Sequence, residues 1–193
     1  NLIIASDYVI CADGGLNKIE EIDIVPDAII GDFDSVKEHT LEKYKEVCEN
    51  IIRYKKEKDK TDTEIAIDFA IEKGYYDITL ICASGTRLDH TLANLMLLEK
   101  YNEIGISIKF VDNNNEVILL KEKIILKNKK KYFTSIIPLT KIVEGITLKG
   151  FKYNLKDKDI SRGSTLCISN YIIDEFAEIS IKNGSVLVFT SKD

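Results

Sequence analysis

Between Tyr8 and about Asp112, short β-branched runs alternate with helical stretches, and that alternation restricts this part of the chain to a parallel sheet covered by helices. The expected strands are Tyr8 to Ala12, Ala28 to Ile30, Ile51 to Tyr54, Ile78 to Cys82 and Ile106 to Val111. The expected helices are Leu16 to Ile22, Val36 to Glu49, Thr61 to Lys73 and Thr91 to Tyr101. The strands read as nearly continuous apolar runs, which fits burial on both faces.

After Asn115 the period changes. Short strands follow one another without an amphipathic helix: Val117 to Leu120, Ile124 to Leu126, Tyr132 to Ile137, Ile146 to Lys149, Leu166 to Ser169, Ile179 to Lys182 and Val186 to Thr190. Asn183-Gly184 reads as a hairpin turn, and Lys127 to Lys131 as a solvated hairpin tip. The expected fold is α/β, with an N-terminal parallel-sheet domain over residues 1–114 and a C-terminal antiparallel β-sandwich over 115–193. At 193 residues and 45% hydrophobic composition, the chain can bury a core of this size.

A net charge of -5, without a basic stripe or polybasic tail, argues against nucleic-acid or anionic-membrane binding. No run approaches the roughly 20 apolar residues of a membrane span and no signal peptide is visible. The four cysteines are widely spaced with no CxxC, so zinc and a disulfide scaffold are not expected. The expected compartment is the cytoplasm.

The chemistry-bearing residues collect at strand ends, where open α/β sheets bind their ligands. The first strand runs into Asp13-Gly14-Gly15-Leu16-Asn17 and the second into Gly31-Asp32-Phe33-Asp34-Ser35. The third runs toward Lys58-Asp59-Lys60-Thr61-Asp62, and the fourth into Ser84-Gly85-Thr86-Arg87-Leu88-Asp89-His90. Asp32 and Asp34, at i and i+2 on a loop, can turn toward one ion, and crowded carboxylates repel unless a cation shares the site. An oxygen-ligated Mg²⁺ is therefore expected, held by Asp32, Asp34 and Asp62, with Lys60 or Arg87 adding donors for phosphate.

Structural alternatives stand beside these readings. Thr61-Asp62-Thr63-Glu64 matches a capping box, in which Asp62 merely favours the helix dipole. Asp89 fits the N-cap of the following helix, with His90 an ordinary first-turn residue. Gly14-Gly15 fits a tight turn, although such a turn also points backbone N–H groups at an anion. Neither a P-loop, nor a dinucleotide fingerprint, nor an EF-hand is present.

Together these segments resemble the thiamine pyrophosphokinase family. The resemblance is carried by Ala12 to Asn17, Pro26 to Ser35, Lys58 to Glu64, and Ser84 to His90 running into Leu92-Ala93-Asn94-Leu95, in that order and spacing. It implies an α/β domain that binds ATP and Mg²⁺, a C-terminal β-sandwich, and a homodimer that holds thiamine between subunits. Residue by residue, it makes Asp32, Asp34 and Asp62 metal ligands, supported by Asp13 and Asp59. Asp13, Gly14, Gly15, Asn17, Lys60, Thr61 and Arg87 would line the ATP site, and Arg87 and Asp89 would lie near the substrates. Ser161 to Thr165 and Ser169-Asn170 resemble the stretch that contacts the aminopyrimidine of thiamine. The family usually has a further strand and loop before the segment matching Tyr8 to Ala12, so an N-terminally shortened chain is expected. Some members place a Trp against thiamine; this chain has none, and Phe189 or Tyr171 would substitute.

The implied reaction is ATP plus thiamine giving AMP plus thiamine diphosphate, with Asp89 and Asp62 as positional candidates for a general base. A metal-dependent nucleotide-sugar transferase would also use Asp-x-Asp, but it leaves the Asp59 to Asp62 cluster and the β-rich half without a role. A non-enzymatic metabolite-binding module is the other alternative.

Overall fold

The computed structural model describes residues 2–55, 57 and 59–193. Two compact units are present, Asn1–Tyr76 and Asp77–Asp193.

In the first unit β1 (Ile10–Ala12), α1 (Gly15–Glu20), β2 (Ala28–Gly31), α2 (Glu38–Lys45), β3 (Asn50–Arg53) and α3 (Asp62–Glu72) follow one another. The strands form a parallel sheet in the order β1-β2-β3, with Ile10 opposite Ala28 and Ala28 opposite Asn50. All four residues of β2 are buried, as its unbroken apolar run requires of a central strand. Cys11, Leu16, Ile19, Ile29, Phe33, Tyr44 and Cys48 form one core, against which Val36, Leu41 and Ile51 pack.

The second unit begins with β4 (Asp77–Ile81), α4 (Leu88–Asn102) and β5 (Ser107–Val111). Seven strands follow: β6 (Asn115–Leu120), β7 (Lys123–Lys127), β8 (Phe133–Pro138), β9 (Ile142–Lys149), β10 (Leu155–Ser161), β11 (Phe176–Ser180) and β12 (Val186–Ser191). One sheet has the order β4-β5-β6-β12-β8 and the other β10-β9-β11-β7. Their inner faces share a core in which Leu120, Ile136, Val186 and Val188 of the first sheet meet Val143, Ile146, Leu148, Ile160 and Ile179 of the second. That is the β-sandwich architecture. The parallel pair β4 and β5 continues directly into antiparallel strands through β5–β6 pairing, so the five-stranded sheet is mixed.

Several expected elements differ. Leu166 to Ser169 is a series of turns rather than a strand. β10 was not expected: its Lys-Asp-Lys-Asp run is charged because it forms an edge, with only Ile160 buried and register shifts that break the ladder. Asn183-Gly184 does not close a hairpin, because β11 and β12 lie in different sheets. Lys127 to Lys131 likewise crosses between sheets, from β7 to β8.

Candidate active site

Three carboxylates meet at the carboxyl ends of β1 and β2. Asp13 still donates its N–H to the Ile30 carbonyl at 2.7 Å, as the continuation of the parallel pairing. Its backbone then takes a left-handed conformation, φ 40°, which turns the chain out of the strand. Beyond β2, Phe33 is also left-handed at φ 68°, and its ring is buried in the core. An anchored apolar residue between two acids thus throws Asp32 and Asp34 to the same side. One ligand atom from each of Asp13, Asp32 and Asp34 lies within 4.8 Å of the others.

The contacts around this triad are specific. The Asp34 N–H donates to Asp32 Oδ1 at 3.0 Å, and the Ser35 hydroxyl donates to Asp13 Oδ2. Asn17 clasps the two loops, its amide donating to the Ser35 carbonyl at 3.1 Å and accepting from the Lys37 N–H at 3.2 Å. Two glycines permit the approach: a Cβ on Gly14 would stand 2.6 Å from Ser35 Oγ, and one on Gly31 would stand 3.1 Å from Asp13 Cα. Asp13 Oδ1 is buried with no hydrogen-bond partner among the described residues. A buried carboxylate oxygen left bare is costly, and three clustered carboxylates repel; a hard divalent cation relieves both, and an all-oxygen donor set suits Mg²⁺ or a similar ion. The residues present therefore fit a metal.

The structure gathers Asp32 and Asp34 with Asp13, and not with Asp59 or Asp62, among the described residues. Lys58 of the same segment lies outside the described residues. Thr61 caps α3, accepting from the Glu64 N–H at 3.2 Å, and Asp62 is the first helical residue. Lys60 bonds Asp68 at 2.6 Å, which holds its ammonium above the ordinary range.

In the second unit the loop from β4 into α4 is braced by buried Asn94, whose amide donates to the Ala83 carbonyl at 2.9 Å. Arg87 forks onto Asp89, Nε to Oδ1 at 3.2 Å and Nη2 to Oδ2 at 2.6 Å. This hydrogen bonding holds the Asp89 carboxyl below the usual range. Asp89 is not the N-cap: α4 starts at Leu88, so Asp89 lies within the first turn. Asp112, just beyond β5, escaped the sequence reading although it obeys the same strand-end rule. It accepts from Ser84 Oγ at 2.9 Å and from the Asn114 and Asn115 N–H groups. Burial opposes its ionisation, but these donors outweigh burial and lower its pKa.

Ser169 and Asn170 differ in character. Ser169 is exposed and left-handed at φ 56°. Asn170 is buried, and its side chain bonds backbone groups of Tyr153 and Tyr171. Both tyrosines are exposed. Tyr153 was not singled out from the sequence because only the fold brings it beside Asn170. Phe189 is half-buried in the middle of β12.

An acidic centre at the carboxyl edge of a parallel sheet, in a chain that also holds a β-sandwich, defines an α/β protein with a carboxylate site that fits a metal. Family models match the chain as "Thiamin pyrophosphokinase, catalytic domain" over residues 1–110 and "Thiamin pyrophosphokinase, vitamin B1 binding domain" over 121–186. The chain belongs to the thiamine pyrophosphokinase family. It is 34% identical over 183 residues to the thiamine pyrophosphokinase of Bacillus subtilis (strain 168), covering 94% of this chain and 86% of that protein. The crystal structure of a Bacillus subtilis thiamine pyrophosphokinase superposes with TM-score 0.88 at 33% identity, over 95% of this chain and 87% of the other. A family protein from Enterococcus faecalis gives 0.89 at 31% identity, over 98% and 91%.

Proposed function

We propose that this enzyme transfers the pyrophosphoryl group of ATP to the hydroxyethyl oxygen of thiamine, forming thiamine diphosphate and AMP. The observation that carries the reading is the Asp13, Asp32 and Asp34 triad with its bare buried oxygen, in a chain matched by both family models. Asp13, Asp32 and Asp34 would hold Mg²⁺, which supplies charge neutralisation at the phosphate oxygens when bound. Asp59 and Asp62 remain additional candidate ligands on the family resemblance alone.

The thiamine hydroxyl oxygen forms a bond to the β-phosphorus as the bond to the α,β-bridging oxygen breaks, and AMP leaves with that oxygen. The hydroxyl proton passes to a carboxylate, for which Asp89 and Asp62 are the candidates by position. Arg87 and Lys60 supply cationic donors, and the Gly14-Gly15 turn, with Thr61, completes the proposed ATP contacts. Asn17 holds the acidic loops together and remains a proposed ATP contact on the family resemblance. On the family resemblance, Ser169 would contact the aminopyrimidine, and buried Asn170 supports its loop.

The same reading divides the chain functionally at 114/115, with ATP and metal before and thiamine and dimer contacts after. The family-model ranges support that division. Exposed Leu166, Ile168, Ile173 and Phe176, on the stretch between β10 and the start of β11, support a homodimer. Among the described residues, no helix is long and apolar enough to cross a membrane, and no disulfide joins any of the four cysteines. The thiols fit a reducing, cytoplasmic compartment.

Chromatography of a reaction with ATP, Mg²⁺ and thiamine tests the proposal. AMP and thiamine diphosphate are expected in equal amounts. Stoichiometric ADP would refute it, since in-line alignment decides which phosphorus is attacked.

A further inference from the structure

Arg53 ends β3 and lies opposite Gly31 in the parallel register, immediately beside the acidic turn. Its Nη2 donates to the Asp32 carbonyl at 3.3 Å, and its guanidinium sits 5.9 Å from the centre of the Phe33 ring. The next residue continues the grip, the Tyr54 N–H donating to the Gly31 carbonyl at 3.0 Å. The peptide that Arg53 holds joins Asp32 to left-handed Phe33, and its orientation decides whether Asp32 and Asp34 face the same side.

We propose that Arg53 is a positioning residue for the metal centre: its Nη2 hydrogen bond to the Asp32 carbonyl and its cation–π contact with Phe33 lock the turn that aims Asp32 and Asp34 at one ion. The inference rests on the metal reading of the triad. Its sign separates it from a simple charge effect. A guanidinium near a cation site repels the ion, so charge alone makes loss of Arg53 tighten metal binding. Loss of a positioning contact loosens it, and partners behind metal ligands typically contribute about 10- to 100-fold in affinity.

The test is Mn²⁺ titration of nucleotide-free protein, followed by electron paramagnetic resonance, for wild type, Arg53→Lys, Arg53→Met and Asp34→Asn. Wild type should bind tightest. Arg53→Lys, which keeps charge and a donor but loses the planar guanidinium, should be intermediate. Arg53→Met should be weakest, about 10- to 100-fold below wild type. Arg53 is exposed, so metal-free melting temperatures of the Arg53 variants should stay together with that of wild type. Affinity equal to or above wild type in either Arg53 variant overturns the positioning role while leaving the metal site intact. Arg53→Lys decides the matter if Arg53→Met melts early. Absence of a wild-type site abolished by Asp34→Asn overturns the metal reading, and this inference with it.

Discussion

The side chain of Asn170 pairs with both backbone groups of Tyr153, its Oδ1 accepting from the N–H at 3.1 Å and its Nδ2 donating to the carbonyl at 2.8 Å. Oδ1 also accepts from the Tyr171 N–H at 3.0 Å, while the Asn170 backbone bridges to Thr134. One buried amide therefore fixes two loops that present exposed tyrosines.

Asn170→Ala should leave three polar backbone groups without this partner, at about 1–3 kcal/mol for each one that stays buried. A lowered melting temperature is expected, together with a raised KM for thiamine and an unchanged KM for ATP. Equal change in both KM values would place Asn170 outside the thiamine end of the enzyme.

Asp32→Asn and Asp34→Asn keep side-chain shape but remove charge that a metal needs. Each should lower turnover about 10²- to 10³-fold, the usual loss for a positioned electrostatic group. Circular dichroism should be unaltered. Wild-type turnover at limiting Mg²⁺ in either variant would sink the metal assignment.

The Asp32 and Asp34 pair was legible because spacing on one turn is local. The gathering of Asp13 with them came only through the family resemblance, since it depends on β1–β2 pairing and on the left-handed conformation of Asp13. Parallel-strand alternation likewise stood out from Tyr8 to Val111, most clearly at β2, which is buried along its whole length. β10 was hidden because an edge strand needs few inward residues, and its charges read as a loop. Leu166 to Ser169 misled for the opposite reason. Buried Cys167 between exposed Leu166 and Ile168 imitates strand alternation, yet the segment is a turn tied to β8 through the Ile136 N–H to Cys167 carbonyl bond.

Asp112 makes stability depend on pH. Its folded pKa lies below the ordinary value of 3.8, so its contribution is full above that value and is lost as pH falls through the lower, folded pKa. Denaturant unfolding should show wild type more stable than Asp112→Asn at neutral pH, with the gap narrowing through the acid range. A gap that stays constant with pH would assign the effect to shape rather than charge.

Arg87 and Asp89 occupy each other in the ligand-free enzyme, although both are proposed to serve the substrates. Both side chains are well exposed, so the pair contributes little to folding, and neither Asp89→Asn nor Arg87→Met should shift the melting temperature measurably. The competition matters for binding instead: a phosphate that recruits Arg87 must first displace Asp89. Asp89→Asn weakens that internal competitor, so an unreactive ATP analogue measured by calorimetry should bind about two- to five-fold more tightly, the range that an exposed ion pair supports. Turnover should nevertheless fall, because the same carboxylate is a candidate acceptor of the thiamine hydroxyl proton. Arg87→Met should weaken analogue binding. Tighter analogue binding with lower turnover in Asp89→Asn separates the two roles of this pair, whereas unchanged analogue affinity in both variants would remove Arg87 from the nucleotide site.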